Sequence, residues 1–179
     1  MINTENKLNA QGAHKMQHNE NVGLALTNIW TVTCLDSEGN EKWSETKKNL
    51  ITTEGLNHIL DTQFHAGTQV STWYIGLKGT GTVAATDTLA SHAGWTEVAD
   101  YSGTRKEWTE GAASSGSMTN ATAVDFSITG TATVAGAFLA SATSGTTGTL
   151  YGVVDFASSR SVLSGDTLQV TVTVTAASS

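Results

Sequence analysis

The sequence predicts a mainly β protein: a single antiparallel β-sandwich, jelly-roll-like or immunoglobulin-like, with one amphipathic helix and an extended N-terminal arm. Three observations carry that prediction. Apolar and polar residues alternate in several runs, most cleanly in "TAVDFSI" and "TLQVTVTV", which is the period of a half-buried strand. Charged residues make up only 14% of the chain, and Thr, Ser, Gly and Ala dominate its second half, a composition suited to strands and tight turns. Proline is absent, so turns fall to Gly, Asn, Asp and Ser. With 179 residues and 39% hydrophobic content, one modest core is affordable. We divide the chain into an arm, 1–22, and a sandwich domain, 23–179.

In the arm, the isolated apolar residues Ile2, Leu8, Met16 and Val22 follow no sustained period. A segment this polar reads as a disordered tail in the free protein, and such an arm is usually ordered only when something outside its own domain holds it. From Leu24 onward, Leu24, Leu26, Trp30, Val32 and Cys34 share one parity, and "DSEGNE" supplies turn residues before "KWSETKK"; this is a β-hairpin. The period then changes. Leu56, Ile59, Leu60 and Phe64 follow helical spacing, Thr52 or Thr53 can cap, and Glu54 sits near the positive end of the dipole. The spacing predicts a helix over Thr53 to Phe64 whose apolar stripe packs on a sheet.

After "WYIGL" come "TDTLASHAG", read as one short helical turn, and "TRKEWTE", read as an exposed strand. The strands "TAVDFSI", "TATVAGAFLAS", "TLYGVVDF" and "TLQVTVTV" then succeed one another, separated by turns such as "TSGTTG" and "SSRSVLSGD". Closely spaced strands with Gly-Ser turns indicate a sandwich or barrel rather than βαβ crossovers.

The candidate chemistry is sparse. Gly79, Gly81 and Ala84 in "GTGTVA" imitate a dinucleotide fingerprint, but that motif needs a helix after the glycines to receive the pyrophosphate. The downstream residues supply no such helix, so the stretch reads as a turn or loop and no cofactor is expected. His14 and His18 stand four apart, yet Lys15 replaces the Glu of a zinc-protease helix; no metal site is expected. His58, His65 and His92 read as surface or hydrogen-bonded structural residues, and Cys34 as a small buried group without a nucleophile signature. The carboxylates Glu97, Asp100, Glu107 and Glu110 read as a solvated face. These readings predict no enzyme.

A net charge of −7 with only scattered basic residues argues against nucleic-acid binding. No apolar run reaches membrane-spanning length, and the first twenty residues have no basic, then apolar, leader pattern; the product is expected to be made in a cytosol. Trp73, Tyr74, Trp95, Tyr101 and Trp108 form an aromatic block, read as core filling, with a sugar-stacking platform as the rival use of Trp73, Trp95 or Trp108.

From "NLITTEGLNHILDTQF" through "WYIGL", "SHAGWTE" and "SVLSGDTLQVTVTVT", roughly Asn49 to Thr175, the chain resembles small structural proteins of tailed bacteriophages and prophages. The resemblance implies a virion component with no catalytic residues to transfer. Because neither heptads nor repeats are visible, a capsid decoration or cement protein on the outer surface of the head is the first expectation. A tail or tail-fibre protein is the alternative, and a carbohydrate-binding module a rival of another class. The expected partners are the major capsid protein and other copies of the chain in a homo-oligomer, with a trimer as one form. Ile2, Leu8, Met16 and Val22 would be the arm's contact residues.

Overall fold

The computed structural model describes residues 23–178. Among the described residues, eleven strands form two antiparallel sheets, and one helix, α1 (Thr53–Phe64), connects two strands of the second. The first sheet has the order β2-β1-β11-β7, with β8 also on β11; the strands are β1 (Leu24–Leu35), β2 (Glu41–Lys48), β7 (Ser117–Thr119), β8 (Val124–Ser127) and β11 (Thr167–Ser178). The second has the order β3-β10-β9-β4-β5, with β6 on β4; it contains β3 (Leu50–Ile51), β4 (Tyr74–Gly81), β5 (Trp95–Val98), β6 (Lys106–Glu107), β9 (Ala132–Ala140) and β10 (Leu150–Val162). The predicted β-sandwich is the observed architecture. The arm residues and the division at residue 22 lie outside the described residues.

Alternation sets which face each strand buries. Trp30, Val32 and Cys34 of β1 and Leu168, Val170 and Val172 of β11 point into the core, where Ile75, Leu77, Val134, Ala137, Leu139 and Val154 meet them from the other sheet. Strands β4, β9 and β10 are buried on both faces in part. Phe138, Ala140, Leu150 and Val153 turn outward beneath Leu89, on the loop after β4, and Trp95, the first residue of β5. The β1–β2 turn forms as its residues dictate: Gly39 takes φ 87°, and the Asp36 carboxylate accepts hydrogen bonds from the Glu38 and Asn40 N–H groups. Those bonds, Asn40's first, hold the Asp36 carboxyl below its usual range.

Several expectations need correction. Helix α1 spans Thr53–Phe64 as predicted, with Thr52 capping through Gly55 N–H, but its apolar stripe does not lie on a sheet. Ile59 is half-buried against the core, whereas Leu56, Leu60 and Phe64 remain 42%, 55% and 83% exposed. The reason is Gly55. A Cβ there would stand 2.2 Å from the Tyr151 carbonyl oxygen, so the helix is seated backbone-to-backbone on β10 through its smallest residue, and the Leu56–Phe64 line rotates outward. "TDTLASHAG" forms turns rather than a helical turn. "TRKEWTE" is not one exposed strand: Lys106–Glu107 pairs with β4 and Glu110 makes a lone bridge to Asn120, while Arg105 and Trp108 are buried. Strand β10 runs on through "SSRSV" past an irregularity between Asp155 and Arg160, leaving Leu163–Asp166 as the turn. Three short strands, β3, β5 and β7, were not anticipated.

The "GTG" of the loop reading is also corrected. Gly79, Thr80 and Gly81 are the last residues of β4, and the loop begins after them. Gly81 has φ 117° and passes so close to the Gly94 carbonyl that a Cβ would sit 2.0 Å from its oxygen. Glycine is required by backbone approach between neighbouring strands, which accounts for the motif without a phosphate.

Candidate functional site

Two buried cations organise the loops around the second sheet. Lys78 is fully buried; its Nζ donates to Asp155 Oδ1 at 2.8 Å and to the Gly81 carbonyl at 2.8 Å. Arg105 forms a two-point fork with Glu97, Nε to Oε1 at 3.0 Å and Nη2 to Oε2 at 2.7 Å, and also donates to the Ala142 and Gly145 carbonyls. The fork geometry suits a structural clamp, and with these partners met, neither cation is left to bind a ligand. Glu97 is thereby taken out of the expected solvated acidic face; Asp100, Glu107 and Glu110 stay exposed.

The histidines divide similarly. His58 meets the Trp73 ring edge-on at 5.5 Å, His92 stacks on Trp95 at 4.1 Å and shares a hydrogen bond with its carbonyl, and His65 is exposed near Asp61 at 3.7 Å. His14 and His18 lie outside the described residues. Among the described residues, no group of three or more His, Cys, Asp or Glu side chains could hold a metal ion. Cys34 is buried, unpaired by disulfide, and its thiol is pushed up to about 11, by burial first and by Asp166 next.

Two grooves flank α1. On one side, Glu54, Asn57, Asp61, Thr86, Thr88 and Thr149 line a polar channel of about 470 Å³. Its best-placed acid is already used: Glu54 Oε2 accepts from Leu89 N–H at 3.0 Å and Leu150 N–H at 2.6 Å, tying the helix start to the loop after β4 and to β10.

On the other side lies an apolar groove of about 310 Å³ between α1, the segment that follows it and the end of the first sheet. Leu26 of β1, Met118 of β7 and Val174 of β11 line one wall; His58, Ile59 and Thr62 of α1 line another; Gln69, Val70 and Trp73 close it, with Tyr151 and Trp108 at its floor. Trp73 packs edge-on against Tyr151 at 5.5 Å. Burial pushes the Tyr151 phenol above its ordinary value, the nearby Asn28 amide offsetting a little of that, so the hydroxyl stays protonated across ordinary pH. A floor of aromatic rings with a few amides and one imidazole around the rim suits an apolar side chain whose backbone is held by polar groups.

Of the aromatic block, Trp95 and Trp108 are each 4% exposed and serve as core; Trp108 donates from Nε1 to Asn120. Neither offers a face to a sugar. Trp73, half-buried, is the one of the three that lines a groove. The arm residues expected as contacts, Ile2, Leu8, Met16 and Val22, lie outside the described residues. The groove is not legible in the sequence, although Leu26 and Trp73 each stand out there, because the two are far apart in sequence and come to one groove only through the packing of the two sheets.

No helix among the described residues is long and apolar enough to cross a membrane. No curated protein matches the chain. The sequence profile of the family described as Podophage GP4 fiber I protein gp80 matches residues 48–177, most of the chain from the end of β2 to the end of β11, and by that match the chain belongs to this family of phage structural proteins.

Proposed function

We propose that this chain is a structural component of a podophage fibre that works by holding other protein chains rather than by catalysis. The observation that supports it is the family match over residues 48–177, whose description is a fibre protein. It favours the tail-fibre alternative over the capsid-decoration reading that the missing heptads had suggested. Absence of heptads argues only against a coiled-coil stalk; a sandwich can be joined to its neighbours through its edges and ends. On this reading the partners are further copies of the chain and adjoining fibre or tail proteins, with no cofactor and no reaction. The protein then resides in the virion, at the tail.

Antibody labelling of purified particles in the electron microscope tests the assignment. A few copies confined to the tail are expected. Hundreds of copies spread over the shell would overturn it in favour of capsid decoration.

A further inference from the structure

Helix α1 turns a line of apolar side chains outward. Leu56, Leu60 and Phe64 stand four residues apart and are 42%, 55% and 83% exposed, whereas the solvent face of a surface helix ordinarily carries polar groups. Gly55 seats the helix on β10 by its backbone, and Thr52 caps it through Gly55 N–H. Neither the hold on the sheet nor the start of the helix uses the three outward residues. Side chains at i, i+4 and i+8 form one of the ridges by which helices pack, and two such ridges interdigitate when the helix axes cross at about −50°. The line is shaped to receive another helix.

The charges favour an identical one. Each chain carries a net charge of −7, so copies repel one another except through a face where acids do not meet. None of the three residues is charged, and both acids of α1 are engaged. Glu54 accepts from the Leu89 and Leu150 N–H groups, and Asp61 lies 3.7 Å from His65. The ridge is also its own complement, because three residues centred on Leu60 match an inverted copy of themselves.

We propose that α1 is a self-association surface, its Leu56, Leu60 and Phe64 ridge packing on the same ridge of a second copy across a two-fold axis. Leu60 then meets Leu60 and Phe64 meets Leu56, an isologous contact that needs no second surface on the chain. The opposed directions set the C-terminal end of each helix dipole toward the N-terminal end of the other. The inference rests on the fibre reading in one respect, the strength of the contact. Three side chains bury less than the roughly 800 Å² per partner of a stable complex, so the pairing is reversible in solution and becomes firm where several copies are held together in one fibre.

Sedimentation equilibrium of the full chain tests it. Twice the chain mass is expected at high concentration and the single mass on dilution. Leu60→Asp, which sets two carboxylates against each other, should raise the dissociation constant at least tenfold while the circular dichroism stays unaltered. On mild oxidation Leu60→Cys should form a disulfide between copies, and Ser91→Cys, at an exposed position away from α1, should not; Cys34 is buried and does not compete. A chain that is monomeric at every concentration would overturn the proposal. So would self-association that Leu60→Asp leaves unchanged, or equal cross-linking through both introduced cysteines. These outcomes leave the labelling of particles untouched, and a head location found by labelling would leave the pairing of ridges measurable, so the two readings fail separately.

Discussion

The two ends of the β1–β11 ladder have the same alternating sequence pattern and opposite fates. At the end where Leu35 faces Thr167, the inward residues Cys34 and Leu168 are fully buried, Phe126 packs edge-on against Tyr101 at 4.9 Å, and the turn is locked by Asp166. That carboxylate takes Lys42 Nζ at 2.5 Å and the Leu163 N–H at 2.8 Å. At the end where Leu24 faces Ser178, the same parity continues through Leu26 and Leu24 on one strand and Val174 and Ala176 on the other, yet burial fades to partial and then to none. Parity tells which way a side chain points. Whether anything stands opposite is settled by the other sheet and by α1, and here α1 leaves a groove instead of a lid.

The widest gap between the two ends is expected from truncation. Phe126→Ala should cost about 3–5 kcal/mol, the usual penalty for emptying a buried aromatic site, whereas Leu24→Ala in the same sheet should stay within about 0.5 kcal/mol, as exposed positions do. Urea unfolding followed by circular dichroism checks both, and equal losses would erase the contrast.

A smaller effect should come from the seat of α1. In Gly55→Ala the new methyl group meets the Tyr151 carbonyl, so the helix must lift from β10, at about 1–3 kcal/mol for overpacking. Because Trp73 lies between His58 and Tyr151, its fluorescence should shift with the variant. An unshifted spectrum with full stability would mean that α1 is not held by this approach.

The mildest test compares thiols on one strand face. At pH 8, Cys34 should resist a thiol reagent in the folded protein, while a thiol introduced by Leu24→Cys should react within minutes; equal rates would contradict the graded burial. The linked pH effect has a definite sign. A thiol whose folded value is raised from 9.0 to about 11 contributes stability that is complete below pH 9 and is lost as pH rises from about 9 to 11. Cys34→Ala should flatten that part of the profile.

Much of this architecture was legible because it is written in short-range periodicity. The hairpin of β1 and β2, the bounds of α1, and strands β8, β9 and β11 follow from alternation, spacing and a capping Thr. What was not legible depends on partners distant in sequence. Leu56, Leu60 and Phe64 show a convincing helical stripe, and nothing local reveals that Gly55 presses its backbone onto Tyr151 and turns the stripe away. Arg105 sits in a polar string, "SGTRKE", and only the fold shows Glu97 and two carbonyls converging on it. Strand β3, of two residues, is too short to display a period, and β5 has no alternating flanks of the kind that "TAVDFSI" gives β8. The groove combines both difficulties, since its walls come from β1, α1, β7, β10 and β11 and no one of them announces it.

The pairing of Leu24 with Ser178 also bears on how the domain carries mechanical load. Tension that separates these two neighbouring positions would open the antiparallel ladder from one end, breaking its hydrogen bonds one after another, as a zipper opens. Tension between Leu24 and the far turn at Asp166 would instead pull β1 lengthwise against β11, and the twelve paired positions would resist together. The same ladder is therefore weak in one direction of pull and strong in the other, and an attachment that spans the long axis of β1 would draw on its full strength.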